Sequence, residues 1–185
     1  VFLVRDLVLA DGGTRVVLLV DVLKRNDDPQ VLEVRHFVSP DGLALKSVRL
    51  HAAAPILDAS LSLDGASVAL LLEATPSPLL ELRRTDDGTV MSSTPISLPW
   101  WPEGGPLRPQ AMDIAGGSDF VVVADFGGTA VFDSKGSGPP VLVAAWPNEA
   151  RGVFLEGHID ACEDAAMAIS DDRMWVLERS SRGWT

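Results

Sequence analysis

Leu61-Ser62-Leu63-Asp64-Gly65-Ala66, followed almost at once by Val68-Ala69-Leu70-Leu71-Leu72-Glu73, is the stretch on which the fold turns. A short apolar segment enters an Asp-Gly turn, a hydrophobic run leaves it, and a single carboxylate ends the run. Asp-Gly supplies the positive φ that a tight hairpin needs. Short runs rich in Val and Leu and bounded by such turns have strand length, not helix length. The stretch reads as a β-hairpin whose second strand is buried.

Three further segments repeat the pattern. Val8-Leu9-Ala10-Asp11-Gly12-Gly13 runs into Val16-Val17-Leu18-Leu19-Val20-Asp21, and Met112-Asp113-Ile114-Ala115-Gly116-Gly117 into Phe120-Val121-Val122-Val123-Ala124-Asp125. The last is Met167-Ala168-Ile169-Ser170-Asp171-Asp172 into Met174-Trp175-Val176-Leu177-Glu178. The closing carboxylates Asp21, Glu73, Asp125 and Glu178 lie 52, 52 and 53 residues apart. A steady period of this size marks a unit that cannot bury its own apolar face and stacks on its neighbours instead.

Each of the first three hairpins is followed by a third strand: Val31-Leu32-Glu33-Val34-Arg35-His36-Phe37, Leu79-Leu80-Glu81-Leu82-Arg83 and Thr129-Ala130-Val131-Phe132-Asp133. The first two alternate apolar with charged residues, as a strand with one face in water does. Fourth strands are expected at Ala44–Leu50, Pro95–Leu98 and Val141–Trp146. Four antiparallel strands per unit is the make-up of a propeller blade.

The sequence therefore predicts an all-β chain, residues 1–185, forming a single β-propeller segment of about 3.5 blades of four antiparallel strands. The blades fall roughly at 4–52, 57–99 and 108–147, with an opening hairpin over 158–179. Propellers close with about four to eight blades, so this segment is expected to be part of a larger propeller, completed by further sequence or by another chain. The alternative is a β-sandwich, which has no closure requirement.

The repeat resembles that of the WD40-like and related β-propeller proteins over nearly the whole chain. It departs from the strict WD40 pattern, because Gly157-His158 stands alone and no Trp is followed by Asp. The resemblance implies a rigid, non-catalytic protein–protein interaction scaffold within a larger assembly. Its partners are expected to be other proteins, among them the rest of the same propeller.

Composition narrows the classes. At 46% apolar and 22% charged residues the chain is globular, not disordered. A formal net charge of -11 repels phosphate backbones and anionic membrane surfaces, which argues against nucleic acid and membrane as partners. Arg35, Arg83 and Arg84 are the candidates for a local basic patch. A lone Cys162 and the absence of any Asn-X-Ser/Thr sequon lean towards an intracellular, cytoplasmic home. Arg5 and Asp6 interrupt the apolar opening before a signal segment can form, and the chain opens on Val1 instead of Met, as a trimmed chain does.

Candidate chemistry is sparse. Asp125-Phe126-Gly127 lacks the companion motifs of a kinase magnesium site and reads as a turn. Gly12-Gly13, Gly116-Gly117 and Gly127-Gly128 lack the spacing of a phosphate-cradling loop. His36, His51 and His158 belong to different units, and the alternating His158, Asp160, Cys162 and Asp164 match no zinc spacing. No metal or cofactor is expected, and the chain leans away from being an enzyme.

Asp21, Glu73, Asp125 and Glu178 carry the competing reading, a propeller enzyme or carbohydrate-binding module whose acids ring the channel mouth. That reading requires them to converge on one cavity. The candidate partner-binding residues are Trp100 and Trp101, in the Pro/Gly-rich connection Leu98-Pro99-Trp100-Trp101-Pro102. Adjacent residues on extended backbone point opposite ways, so one indole is expected inward and the other towards a partner.

Overall fold

The computed structural model describes residues 2–22, 31–38, 43–102, 113–117, 119–125, 127–135, 138–147, 158–161, 165–170 and 173–185. Its strands form four antiparallel four-stranded sheets, each taken up in chain order. The first holds β1 (Phe2–Ala10), β2 (Arg15–Val22), β3 (Val31–Val38) and β4 (Leu43–His51). The second holds β5 (Ile56–Leu61), β6 (Ser67–Leu72), β7 (Leu79–Arg84) and β8 (Val90–Pro95). The third holds β9 (Asp113–Gly116), β10 (Phe120–Asp125), β11 (Gly128–Asp133) and β12 (Val141–Pro147). The fourth holds β13 (His158–Ala161), β14 (Ala165–Ser170), β15 (Arg173–Ser180) and β16 (Gly183–Trp184).

Three separate cores lie between these four sheets. Val17, Leu19, Leu32 and Val34 meet Leu61, Val68, Leu70 and Leu72 between the first and second. Leu71, Leu80 and Leu82 meet Val121, Val123, Ala130 and Phe132 between the second and third. Phe120, Val122 and Val131 meet Leu177 and Trp184 between the third and fourth, the two rings of Phe120 and Trp184 in a T-shaped contact. A sandwich has one core between two layers, so the sandwich alternative does not hold. Each inner sheet is covered on both faces, which is why β10 is buried at every residue and reads as an unbroken apolar run.

The first strands lie side by side, β1 against β5, β5 against β9 and β9 against β13, and so form the inner edge of the array. The fourth strands lie outside, where β12 exposes Val141, Leu142 and Val143.

Four sequence expectations need correction. The last unit is a complete four-stranded sheet, not a hairpin, and its first strand is β13. Residues 167–170 and 174–178, read as the first two strands of that unit, belong to the second and third. The fourth strand of the second sheet is Val90–Pro95, not Pro95–Leu98, because the tight turn at Gly88 (φ 74°) returns the chain at once. Ile96 and Leu98 are apolar because they plug the core between the second and third sheets. Finally, Glu81 and Arg83 do not face water: they are 7% and 8% exposed, because the first sheet covers even the third strand of the second.

Candidate interaction surface

The two tryptophans sit where the chain leaves the second sheet. Trp101 N–H donates to the Leu98 carbonyl at 2.9 Å, so the backbone there is turned, not extended. The turn sends both indoles the same way. Trp100 Nε1 donates to Asp125 Oδ1 at 2.7 Å and Trp101 Nε1 to the other carboxylate oxygen at 2.5 Å. Asp125 also accepts the Gly127 N–H at 2.7 Å. Residue 127 must be glycine, since a Cβ there would collide with the Trp100 ring. Both indoles are half-buried and pack on the core between the second and third sheets.

The recurring carboxylates do not converge. Asp21 is buried on the face towards the second sheet, where Arg5 Nε donates to it at 3.0 Å. Asp125 lies on the opposite face of its own sheet, towards the second, because β10 is offset by one residue from the 52-residue period, and such a slip moves a side chain across the sheet. Glu73 follows β6, half-buried, and Glu178 stands exposed on a third strand, so it is not an equivalent of the others. Backbone pairing puts Ser170 near the position in the fourth sheet that Asp125 takes in the third.

A cavity of about 510 Å³ does open among the first strands, lined by Arg5, Asp6, Asp58 and Ser60 and by residues of β9 and β13, but by none of the four carboxylates. Its polar groups are committed to one another. Arg5 Nη1 donates to Asp58 Oδ1 at 2.7 Å, and Ser60 Oγ to Asp6 Oδ2 at 2.9 Å. Ile114 N–H donates to Asp58 at 2.9 Å and Gly116 N–H to Ser60 at 3.0 Å. These side chains therefore tie β1 to β5 and β5 to β9.

Arg35, Arg83 and Arg84 do not form one patch, since Arg83 is buried in an ion pair with Glu81 at 2.6 Å. His36 is buried, and the Thr85 carbonyl 2.9 Å away is an acceptor, so its Nε2 carries the hydrogen. Among the described residues no group of His, Cys, Asp and Glu is arranged to hold a metal. The side chains of His158 and Asp160, and Cys162 and Asp164 altogether, lie outside the described residues.

No family model and no curated protein matches the sequence. Solved structures do match the fold. Kluyvelomyces marxianus Hsv2 superposes at a TM-score of 0.56 with 12% identity, over 98% of this chain and 68% of that one. KlAtg21, solved with the coiled coil of AgAtg16, gives 0.55 and 11% over 94% of this chain and 52% of that one. The Cps50 (Swd1) beta-propeller domain of Myceliophteria thermophila gives 0.50 and 16% over 96% and 52%. The fold is a β-propeller. Its resemblance to WD40-like repeats holds at the level of blade architecture, and the chain spans about half to two thirds of the length of these structures.

Among the described residues, the face of the first blade turned away from the second is an uncovered apolar surface. Phe2, Val4, Leu7 and Leu9 of β1 are each more than half exposed there, and by register they share that face with Val16, Leu18 and Val22 of β2. The same register carries Glu33, Arg35 and Phe37 onto it. Arg35 Nε donates to Glu33 at 3.1 Å, and its guanidinium lies 3.9 Å over the Phe2 ring. Hydrogen bonding from the Ser47 hydroxyl, joined by the Arg35 and Arg49 charges, outweighs burial and holds the Glu33 carboxyl below its ordinary pKa.

Proposed function

We propose that this chain works as a non-catalytic protein–protein interaction scaffold, as part of a larger propeller within an assembly. The observation that carries the reading is the open face of the first blade, an apolar surface centred on Phe2, Val4, Leu7 and Leu9. Contiguous exposed apolar area of this kind marks a surface that further protein covers, the rest of the propeller or a separate partner. Two further observations support it. The cavity among the first strands spends its polar groups on holding the strands together, which leaves few to meet a substrate. One structural neighbour, KlAtg21, was itself solved bound to a coiled coil. Trp100 and Trp101, half-buried beside Asp125, form a second contact point in the same scheme. A reducing intracellular compartment belongs to the same reading.

The test is site-specific photocrosslinking in the source cells, with p-benzoylphenylalanine at Leu7, at Trp101 and, as a control, at exposed Thr185. Discrete protein adducts at Leu7 that are missing at Thr185 are expected. A ladder of adducts common to all three positions would overturn the reading, and so would adducts confined to small molecules.

A further inference from the structure

The outer strands of the four sheets guard their free edges in different ways. Among the described residues each stands at the end of its sheet's strand order, so alternate N–H and C=O groups along it point away from the strand it pairs with. β4 carries exposed Lys46 and Arg49, and β8 carries Ser92, Ser93 and Thr94 and ends on Pro95. β16 is two residues long. Charge, proline and shortness are the usual means of keeping an edge from pairing with another chain. β12 has the length without the charges. Its run Val141-Leu142-Val143-Ala144-Ala145-Trp146, closed by Pro147, carries neither a charge nor a hydroxyl.

The first half of this run is its exposed half, with Val141 at 59%, Leu142 at 37% and Val143 at 48%. Val131 pairs with Ala144 and Phe132 with Leu142, so Val143 is the extra residue of a bulge, which takes its side chain out of the regular alternation. The second half is anchored. Ala144 and Trp146 pack on the core between the third and fourth sheets, and Ala145 on that between the second and third. A strand fixed by its anchored half thus offers an apolar, unpaired edge at the rim of the array. Blades join through their faces, so further blades leave this rim uncovered.

We propose that β12 pairs edge to edge with β12 of a second copy of this chain, antiparallel across a two-fold axis near Val143 and Ala144, so that the two third sheets become one continuous sheet. The strand itself argues for this occupant. Such pairing sets Leu142 of each copy against Ala145 of the other, a large group against a small one, and Val141 against Trp146, a β-branched group against an aromatic one. Pro140 and Pro147 bound the ladder at both ends, because proline has no N–H to give. No charge lies between them, so the paired strands bring no like charges together, although each copy carries a formal net charge of -11. A ladder of this length is well below the roughly 20–30 residues a side of a standard interface. The association is therefore weak, and salt strengthens it by screening the two net charges. The proposal adds a surface to the scaffold reading and does not depend on it.

Sedimentation equilibrium of the 185-residue chain over a rising concentration series tests this. The mass is expected to climb from 19.7 kDa towards twice that value, and to climb further at higher salt. Val141→Lys and Val143→Lys, both at exposed positions, are each expected to hold the chain at the monomer mass while shifting its melting temperature by less than about 2 °C. Amide hydrogen exchange over 141–146 is expected to slow several-fold as concentration rises, while exchange along β8 stays constant. A chain that remains monomeric at its solubility limit in high salt overturns the proposal, and is the result expected of an edge kept for an extended segment of another protein. A dimer that both lysine variants retain and Leu7→Lys abolishes also overturns it, since the open face of the first blade would then be the contact. The crosslinks at Leu7 in the source cells are decided separately, so this inference can fail while the scaffold reading stands.

Discussion

The junction between the first and second blades and that between the second and third are built from the same repeat and held by different means. The first is crossed by polar groups along its whole depth: Arg5 to Asp58 near the axis, His36 to the Thr85 carbonyl, and Arg83 to the His51 carbonyl near the outer edge. In the second, polar crossings remain near the axis, at Asp58 to Ile114 and Ser60 to Gly116, and the depth is filled by Leu80, Leu82, Ile96, Leu98 and Phe132. There the Trp pair caps Asp125, a buried acid that also accepts the Gly127 N–H. A buried charged pair adds little net stability over apolar groups of the same shape but is costly to break. The first junction is therefore the more specific, and the second the more tolerant.

That contrast can be broken at several points. Arg83→Ala strands the Glu81 carboxylate in the first junction and is expected to cost about 3 to 5 kcal/mol in urea unfolding. Replacing both members by Met and Leu is expected to recover most of it. Equal losses for Arg83→Ala and Phe132→Leu would remove the distinction. Gly116→Ala tests the second junction at a close backbone approach, since a Cβ there would run into the Leu61 carbonyl. The expected loss is about 3 kcal/mol, the upper part of the range for overpacking, because backbone must move.

Asp125→Ala removes the shared acceptor of two indoles and is expected to cost about 2 kcal/mol. It should also red-shift tryptophan fluorescence as the Trp pair loosens, and an unchanged spectrum would deny the pair its place under Asp125. The smallest effect concerns pH. The Glu33 carboxyl has a folded pKa below its ordinary value, so its contribution is present above the unfolded pKa and is lost as pH falls through the folded one. Between neutrality and about pH 3 the native chain should lose slightly more stability than Glu33→Gln; parallel acid titrations of the two would contradict this.

Much of the architecture was legible in the chain. The 52-residue spacing of the hairpins, the Asp-Gly and Gly-Gly turns and the strand-length apolar runs led to four-stranded units stacked in series, because each is a local signal set by backbone geometry. The surface was less legible. Glu81 and Arg83 alternate with leucines as a half-exposed strand would, and nothing local says that a neighbouring sheet reaches far enough to bury them. Glu178 carries the same apolar-then-acid signature as Asp21 but sits on a third strand, since second and third strands in a blade are both covered and therefore look alike. Trp100 and Trp101 were expected to diverge, and one turn at Leu98 sends both to the same carboxylate.

Local chemistry along the chain was thus enough to define the repeating unit, its strand count and its need for neighbours, all of which follow from turn residues and the period of apolar groups. Which side of each sheet a residue occupies was decided only by packing. A one-residue offset such as that of β10 leaves the composition of a strand unchanged and exchanges its two faces. For that reason the burial of Glu81 and Arg83, and the reach of Arg83 to the His51 carbonyl, are visible in three dimensions alone.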